Sequence, residues 1–322
     1  MRILFVTNCF PVENRLTYGI FVKEQVDALA SRHQDISYDI FFINGLKGKI
    51  EYAKSVVAIR RQIKRNSYDL VHVHYGLSGL FLLFGKIDIP VVVTLHGGDI
   101  LTQQGKLWQV RLSQQIIQHA DEVIVLNNNM FDAIKQYARH SILLPCSVNT
   151  TMFFPNKQRC KKHEGKTINV LFPSSRNRLV KNQPLYESTC DILEKQYGYK
   201  VVRTYLEGFT RQEVARLYNE IDIMLLTSIS EGSPGVVKEA MACNVPIVST
   251  NVGDVSINLE GVANCYVSLL GTDADLAEGV VKCMKGSVSG ISGREKILKL
   301  GLDDGTITDK LYNVYSSLLT KK

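Results

Sequence analysis

Long apolar runs and paired cysteines are missing from this sequence, and we expect no cleavable signal. No apolar run is long enough to cross a bilayer; the longest candidate, residues 77–84, is followed closely by Lys86 and Asp88. The seven cysteines form no C-x-x-C pair, which favours reduced thiols over a zinc site or a disulfide framework. The N-terminus enters a strand pattern directly. We therefore expect a cytoplasmic protein, at most attached to the inner face of a membrane.

The positive charge of the chain is modest and is not concentrated. The formal net charge is +7, and residues 1–155 contain 16 Lys+Arg against 12 Asp+Glu, which leaves +4 there and +3 in the remainder. Nucleic-acid-binding domains usually gather their charge on one face. We predict no nucleic-acid partner.

The first half alternates short apolar segments with helical patterns. The apolar segments are rich in β-branched residues, as buried strands are, and cover residues 3–6, 38–43, 70–73, 91–95 and 123–126. The helical patterns cover 21–31, 50–64, 106–119 and 130–137. This alternation predicts a parallel, doubly wound sheet that binds ligands beyond the C-terminal ends of its strands.

Two loops at that edge of the sheet carry residues suited to ligand contact. Gly19 precedes the helix after the first strand, but the G-x-G-x-x-G fingerprint is missing. Gly19 either lets the backbone approach a phosphate or is an ordinary helix entry. His96 follows the fourth strand. His72 and His74 share one face of the third strand and have no clear third metal ligand, so we interpret them as structural or lining residues.

The segment from Lys47 to Arg65, KGKIEYAKSVVAIRRQIKR, predicts a basic amphipathic helix. Seven Lys and Arg residues face a single Glu51. The basic face is either simply solvated or attached to anionic lipid. The opposite face, which we expect to pack on the sheet, consists of Ile50, Ala53, Val56, Val57, Arg60 and Ile63.

The second half begins with a strand over about 168–172 and then a cationic loop, PSSRNRLVKNQP. Arg176, Arg178 and Lys181 lie between this strand and a helix. Cations in that position can neutralise a phosphate group, or they can belong to a solvated loop. A further strand at 200–205 precedes a turn that contains Gly208 and Phe209.

The helix after that turn has a local start signal. Thr210 followed by Glu213 is a capping box, in which each residue satisfies a backbone N–H of the other. This local role is sufficient to explain both residues. A contact between the preceding turn and a ligand therefore has no support from the spacing alone.

Residues 227–254 contain the most informative stretch. A strand at 223–226 leads through Glu231-Gly-Ser-Pro-Gly into a helix over 235–243, and a second buried strand covers 246–250. The helix start leaves backbone N–H groups for an oxygen-rich or anionic ligand. Glu231 and Glu239, eight residues apart, flank it. On spacing alone, the favoured explanation is a helix with an acidic surface after a turn that merely needs Gly and Pro.

The stretch EGSPGVVKEAMACNVPIVST resembles the donor-binding segment of the family 4 retaining glycosyltransferases, close to EGxGxxxxEAMAxGxPVVxT. The resemblance extends over nearly the whole chain. It implies the GT-B fold: two Rossmann-like, doubly wound α/β domains that face each other across a cleft. We expect an acceptor domain at 1–155, a linker at 156–166, a nucleotide-sugar domain at 167–305 and a C-terminal helix at 306–322 that crosses back to the first domain.

The same resemblance implies roles for individual residues. Arg176 and Lys181 match the Arg and Lys that contact the donor diphosphate, with Arg178 as the alternative to Arg176. Glu239 matches the residue that holds the ribose. Glu231 and His96 match residues that contact the transferred sugar. The remaining donor-binding residues by resemblance are Gly19, Gly208, Phe209, Gly232, Ser233, Pro234, Gly235 and Val236.

This chain departs from the family pattern at a few positions. Asn182 and Asn244 stand where the family usually has Gly. Asn tolerates the left-handed conformation, so we expect the helix that ends near Asn244 to survive. Gly253 is followed by Asp254, and Ser256 occupies the position of a usual Glu.

The resemblance implies transfer of a sugar, with retention and without metal or cofactor, from a UDP- or GDP-sugar to a hydroxyl of a glycan or lipid-linked acceptor. Cell-surface polysaccharide biosynthesis is the expected setting. Three alternatives stay open: a sugar-nucleotide epimerase or phosphorylase of the same architecture, a dinucleotide-dependent oxidoreductase, and a non-catalytic sugar-nucleotide-binding subunit. Turnover of donor without acceptor, NAD binding, or donor binding without turnover would distinguish them.

Overall fold

A computed structural model of the chain describes residues 1–13, 15, 17–102, 106–156 and 166–320. The chain forms two compact units, Met1–Cys146 with Asp304–Lys322, and Ser147–Asp303. Of the linker expected at 156–166, residues 157–165 lie outside the described part. Where the structure describes the chain, no helix is long and apolar enough to cross a membrane.

The first unit contains a six-stranded sheet. Its strands are β1 (Arg2–Thr7), β2 (Ser37–Phe42), β3 (Leu70–His74), β4 (Val91–Thr94), β5 (Glu122–Val125) and β6 (Ser141–Leu143). Its α-helices are α1 (Ile20–Arg32), α2 (Ile50–Arg65), α3 (Leu107–Ile117), α4 (Asn128–Ile134) and the final helix α11 (Asp304–Thr320). Short 3-10 helices cover Gly45–Lys47 and Gly76–Phe84.

All neighbouring strands of this sheet are parallel, in the order β2-β1-β3-β4-β5-β6. The strand order therefore reverses between β1 and β3. The buried valines of β3, β4 and β5 form the centre of the core beneath the helices. Ligands of such sheets bind beyond the carboxyl ends of the strands at the reversal, which are Thr7 and His74 here.

Helix α11 packs in the first unit although it ends the chain. Arg32 on α1 forms an ion pair with Asp309 at 2.5 Å. The buried hydroxyl of Tyr315 lies 2.6 Å from Nδ1 of His72 on β3. A helix and a strand from the first third of the chain therefore hold the last helix in place.

The second unit contains a five-stranded parallel sheet. Its strands are β7 (Thr167–Phe172), β8 (Lys200–Tyr205), β9 (Ile223–Leu226), β10 (Ile247–Thr250) and β11 (Cys265–Ser268). Its α-helices are α5 (Gln183–Lys195), α6 (Arg211–Tyr218), α7 (Gly235–Ala242), α8 (Val255–Leu259), α9 (Asp273–Met284) and α10 (Gly293–Leu300). A 3-10 helix covers Leu179–Lys181.

The strand order of this second sheet is β11-β10-β9-β7-β8, and every pairing is parallel. The order reverses between β7 and β9. The prediction of two parallel, doubly wound α/β domains is confirmed. The loops that follow β7 and β9 are the cationic loop and the start of the 227–254 stretch.

The structure places the unit boundary after Cys146, whereas the sequence placed it at 155. Residues 147–155 pack with the second unit. Val148 pairs with Asp303 in an isolated bridge. The Arg294 guanidinium donates to the carbonyl oxygens of Thr150 and Phe153, both at 2.9 Å. These contacts link residues more than 140 positions apart, so the local sequence could not reveal them.

The inward face of α2 also differs from the prediction. Ile59 is completely buried, whereas Ile50 and Val57, which we placed on the packed face, are 63% and 60% exposed. The predicted face was rotated because apolar side chains occur on both sides of this helix. Val56 is buried, as predicted.

Candidate functional site

The strand reversal in the second unit joins two loops tightly. The Thr227 hydroxyl, just after β9, donates to the carbonyl oxygens of Lys181 and Asn182, each at 3.0 Å. The Ile229 N–H donates to the Val180 carbonyl at 2.8 Å. Asn182 adopts the left-handed conformation with φ of 53°, which Asn tolerates better than most residues. The cationic loop and the turn at residues 231–235, which we call the acidic turn, are thereby held side by side.

Lys181 and Glu231 form an ion pair at this reversal. Their side chains are only 8% and 13% exposed. The Ser228 hydroxyl donates to the same Glu231 oxygen at 2.6 Å. Since water is largely excluded, each charge here acts more strongly on a neighbouring group than it would at an open surface.

Glu239 lies on α7 and has two partners that the sequence did not indicate. Arg211 Nη2 donates to Oε1 at 2.8 Å, and the Tyr218 hydroxyl donates to Oε2 at 3.1 Å. Burial raises the pKa of Tyr218 well above its usual range, so its hydroxyl keeps its proton. The guanidinium also lies 4.8 Å above the Phe153 ring.

The predicted capping box explains how Arg211 reaches Glu239. Thr210 and Glu213 bond each other's backbone N–H groups, which confirms the box and fixes the start of α6. Arg211 is the first residue of that helix. Gly208, with φ of 76°, and Phe209 form the turn immediately before it. The turn that the resemblance assigns to donor binding is therefore next to the arginine that holds Glu239.

Lys238 is completely buried and forms an ion pair with Asp254 at 3.1 Å. The Ser233 hydroxyl donates to the same Asp254 oxygen at 2.6 Å, and Lys238 also contacts that hydroxyl. Asp254 stands at a position where this chain departs from the family pattern. Its carboxylate points into the second unit, where it ties the loop after β10 to the acidic turn.

The acidic turn is packed closely against the next loop. Gly253 has φ of 60°, and a Cβ there would lie 2.6 Å from the Gly232 carbonyl oxygen. Only glycine allows this approach without a shift of the backbone. Asn244 after α7 has φ of 55°, so the expectation that Asn could end this helix is confirmed.

Arg176 forms an ion pair with Glu207, at the carboxyl edge of the second sheet. Its guanidinium lies 3.4 Å from the Glu207 carboxylate and 4.9 Å above the Tyr205 ring. The Arg176 side chain is 56% exposed, and Arg178 is also exposed. Glu207 holds Arg176 at the carboxyl end of β8, and a bound anion would have to compete with that carboxylate.

Three histidines of the first unit form a stack at its strand reversal. His74 Nδ1 lies 3.1 Å from His96 Nε2, and the rings of His72 and His74 are 4.3 Å apart. Burial lowers the pKa of His74 to about 3. Burial and the neighbouring imidazoles lower the pKa of His72 and His96 well below its usual range. All three rings are therefore neutral near pH 7.

Backbone N–H groups beside the three histidines are bonded to Asp99. Asp99 accepts hydrogen bonds from the N–H of His96 at 3.0 Å and of Gly76 at 3.1 Å, while burial raises its pKa to about 6. Gly19 has φ of 66°, and a Cβ there would lie 2.2 Å from the Cys9 backbone. Within the described ranges, no group of three or more His, Cys, Asp or Glu side chains could hold a metal ion.

We expect the first unit to lose stability as the pH falls below about 6.5. The unfolded chain protonates His72, His74 and His96 near that pH, whereas the folded protein keeps them neutral. The unfolded state then binds more protons, and each such histidine costs about 1.4 kcal/mol per pH unit. Asp99 opposes this between about pH 6 and 4, because its pKa is raised in the folded protein. The stability lost through the three histidines therefore exceeds the stability gained through Asp99.

Urea unfolding at several pH values between about 7 and 5, followed by the fluorescence of Trp108 in the first unit, measures the net effect. His74→Gln should flatten the pH dependence. The exposed His119 provides the control, because His119→Gln should leave it unchanged. An equal free energy of unfolding at both ends of the range would contradict the expectation.

Two family models match the chain, one over most of the first unit and the start of the second, and one within the second unit. Glycosyltransferase Family 4 matches residues 21–151, and Glycosyl transferases group 1 matches residues 187–285. TuaC of Bacillus subtilis, a glycosyltransferase named for teichuronic acid biosynthesis, is 22% identical over 80% of this chain and 82% of its own length.

Solved structures share the fold. Sucrose-phosphate synthase from Thermosynechococcus elongatus superposes with a TM-score of 0.81 at 16% identity, over 100% of this chain and 99% of that chain. HepE of Anabaena, solved with UDP and glucose, gives a TM-score of 0.72 at 16% identity, over 98% and 100%. Since the two family models together account for most of the sequence, the chain belongs to the family 4 glycosyltransferases of the GT-B type.

Proposed function

We propose that this enzyme transfers a sugar, with retention and without a metal ion, from a UDP- or GDP-sugar to a hydroxyl of a glycan or lipid-linked acceptor in cell-surface polysaccharide biosynthesis. The Lys181–Glu231 ion pair at the strand reversal of the second unit carries the proposal. UDP in the HepE structure supports the donor class, and the name of TuaC supports the pathway class.

The leaving diphosphate requires positive charge where the strands end. The ammonium of Lys181 has three N–H donors, so it can hold Glu231 and still donate to a phosphate oxygen. The N–H groups of Gly235 and Val236 at the start of α7 add the positive end of the helix dipole. Arg176 supplies a second cation once the phosphate replaces Glu207 as its partner.

The two glutamates would bind hydroxyl groups. A carboxylate has about four acceptor sites, so Glu239 can accept ribose hydroxyls while Arg211 and Tyr218 hold it in place. Glu231 would orient the sugar ring in the same way. The base would lie against the Gly208–Phe209 turn, and the backbone of Gly232, Ser233 and Pro234 would line the donor site. The Ser233 hydroxyl is already bonded to Asp254 and contributes to the shape of the turn.

Retention follows if the acceptor attacks from the side of the leaving group. The acceptor oxygen bonds to the anomeric carbon while the bond from that carbon to the phosphate oxygen breaks. The departing phosphate oxygen takes the acceptor proton. This step needs no protein nucleophile, and we assign Glu231 to binding, with one of its oxygens held by Lys181 and Ser228.

The first unit would supply the acceptor side. We propose that His96 contacts the transferred sugar. The backbone of Gly19 would let the donor phosphate and the acceptor approach closely. The basic segment from Lys47 to Arg65 would bring the enzyme to the cytoplasmic face of an anionic membrane, where a lipid-linked acceptor lies.

A thermal-shift screen with UDP, GDP and their sugars tests the donor assignment. A ligand that binds the folded protein raises the melting temperature, and the best donor identifies base and sugar together. Transfer to an added acceptor then supports the proposal. Conversion of the donor without an acceptor would indicate an epimerase, and binding without any turnover would indicate a non-catalytic subunit.

We expect Glu239→Gln to bind the donor about 10- to 100-fold more weakly, because hydrogen bonds to a charged group contribute about 1.5–3 kcal/mol. Gln keeps the shape, and its single oxygen can still accept from Arg211. Its amide can donate to the Tyr218 hydroxyl, which then donates to the Val236 carbonyl, so the variant should fold. Glu278→Gln is the matched control, since Glu278 lies on α9 with its side chain 55% exposed. Titration of the donor by calorimetry measures both, and unchanged affinity in Glu239→Gln would contradict the ribose assignment.

A further inference from the structure

The outward face of α2 carries apolar and basic side chains together. Ile50, Lys54, Val57, Arg61 and Lys64 follow one another at spacings of three or four residues, so they form one stripe along the helix. Ile50 and Val57 are the two apolar residues that the sequence placed on the packed face. A helix on a folded domain normally directs such side chains inward, and the stripe is therefore unusual.

The end of the 3-10 helix Gly76–Phe84 extends this face. Arg60 on α2 donates to the carbonyl oxygens of Phe81 and Gly85 at 3.1 and 2.9 Å. These bonds hold the segment beside α2. Phe84 lies between the two bonded residues and is 62% exposed.

The start of α3 extends the face further. Lys49, at the start of α2, places its ammonium 5.6 Å above the ring of Trp108. Trp108 is 50% exposed, and its neighbour Leu107 is 63% exposed. We call the whole surface the docking face; it comprises the apolar Ile50, Val57, Phe84, Leu107 and Trp108 and the basic Lys49, Lys54, Arg61 and Lys64.

We propose that the docking face inserts into the surface of an anionic lipid bilayer. Trp and aliphatic side chains are favoured at the boundary between headgroups and acyl chains, and Lys and Arg beside them contact lipid phosphates. This deepens the membrane contact proposed above. The basic segment alone predicts electrostatic attachment, whereas the docking face adds apolar insertion through three separate segments.

The charge of the docking face favours lipid over a second copy of the chain. In a twofold dimer the same patch meets itself, so lysines and arginines would lie opposite lysines and arginines. The acidic residue on this part of α2 is Glu51, which is paired with Lys54 at 2.9 Å. An anionic bilayer supplies both the opposite charge and the apolar layer.

The test uses Trp108, which is the only tryptophan of the chain. Vesicles of equimolar phosphatidylcholine and phosphatidylglycerol should shift its emission to the blue, and brominated acyl chains should quench it. Vesicles of phosphatidylcholine alone should bind weakly. Raised salt should weaken the binding without abolishing the blue shift of the protein that stays bound, because insertion is not screened.

Two pairs of substitutions separate the contribution of the apolar side chains to lipid binding from that of the basic side chains. Ile50→Ser with Val57→Ser should lower partition into anionic vesicles by roughly tenfold or more. Lys54→Gln with Arg61→Gln should lower it about fivefold for each charge. The controls are Leu298→Ser, and Lys285→Gln with Lys299→Gln, exposed residues of the second unit that should leave partition unchanged.

An unshifted Trp108 emission with anionic vesicles would overturn the proposal. A blue shift that grows with protein concentration and needs no lipid would assign the face to a dimer instead. The measurement requires neither donor nor acceptor. Its failure would therefore leave glycosyl transfer untouched, and failure of transfer would leave lipid insertion untouched.

Discussion

Lys181→Met is expected to lower kcat/KM for sugar transfer by about 10²- to 10³-fold, the loss typical when one preorganised donor to a developing negative charge is removed. Lys181 is 8% exposed and lies where the strand order reverses, so water cannot replace its charge efficiently. Met fills the same space without the ammonium. Initial rates with the donor identified by the thermal-shift screen measure the loss.

Lys181→Met also leaves Glu231 without its counter-ion. The resulting loss of stability must be separated from the loss of catalytic activity. Glu231→Gln in the same chain removes the orphaned charge, so the double variant should recover melting temperature without recovering transfer. Lys195→Met, at a 75% exposed lysine of α5, serves as the control and should keep wild-type activity. Activity of Lys181→Met within about threefold of wild type would reject the assignment of Lys181 to the diphosphate.

Lys238→Met is expected to destabilise the second unit by about 3–5 kcal/mol, the range observed when one partner of a buried ion pair is removed. Lys238 is completely buried, and Asp254 is 5% exposed. The second Asp254 oxygen has no hydrogen-bond partner among the described residues, so the carboxylate depends heavily on this lysine. Urea unfolding followed by circular dichroism measures the change.

Asp254→Asn added to Lys238→Met should recover a large part of the lost stability. Asn carries no charge and still accepts a hydrogen bond from Ser233, so no buried charge remains unpaired. Lys282→Met is the matched control on α9 and should change the free energy of unfolding by less than about 0.5 kcal/mol, because that lysine is 44% exposed. Equal effects of Lys238→Met and Lys282→Met would show that the buried pair does not stabilise the unit.

The Lys181 experiment tests a residue proposed to contact the donor, whereas the Lys238 experiment tests a buried ion pair that supports the acidic turn. Lys181 and Glu231 lie in the segments that follow β7 and β9, and Glu239 lies on α7 beside Arg211. Lys238 and Asp254 lie beneath the turn that carries Glu231. The buried pair does not need to touch a ligand to matter, because it ties the acidic turn to the loop after β10.

Much of the fold could be predicted from the chain because its strands are short, apolar and regularly separated by helices. All five strands predicted in the first half are present, with each end within one residue of the prediction. The sixth strand, β6 (Ser141–Leu143), was missed because only three residues of mixed polarity form it at the sheet edge. The rotation of α2 was missed because both of its faces carry apolar residues.

The candidate site was less accessible to sequence reasoning. The spacing of Glu231 and Glu239 was visible, as was the Arg-Lys pattern of the cationic loop. Arg211, Tyr218 and Lys238 were not identified, because an isolated Arg, Tyr or Lys has no local signature of its partner. Arg211 reaches Glu239 across 28 positions, and Lys238 reaches Asp254 across 16.

The sequence by itself determined the parallel α/β architecture and the edge of each sheet where chemistry is expected, because these depend on periodicity and on local order along the chain. The family followed from the resemblance of the contiguous stretch 231–250 to a known motif. Only the tertiary structure decided which charges meet. It paired Lys181 with Glu231, Arg211 with Glu239 and Lys238 with Asp254, and it turned Ile50 and Val57 outward. Pairing and burial depend on residues that are distant in the chain, and strand order brings those residues together.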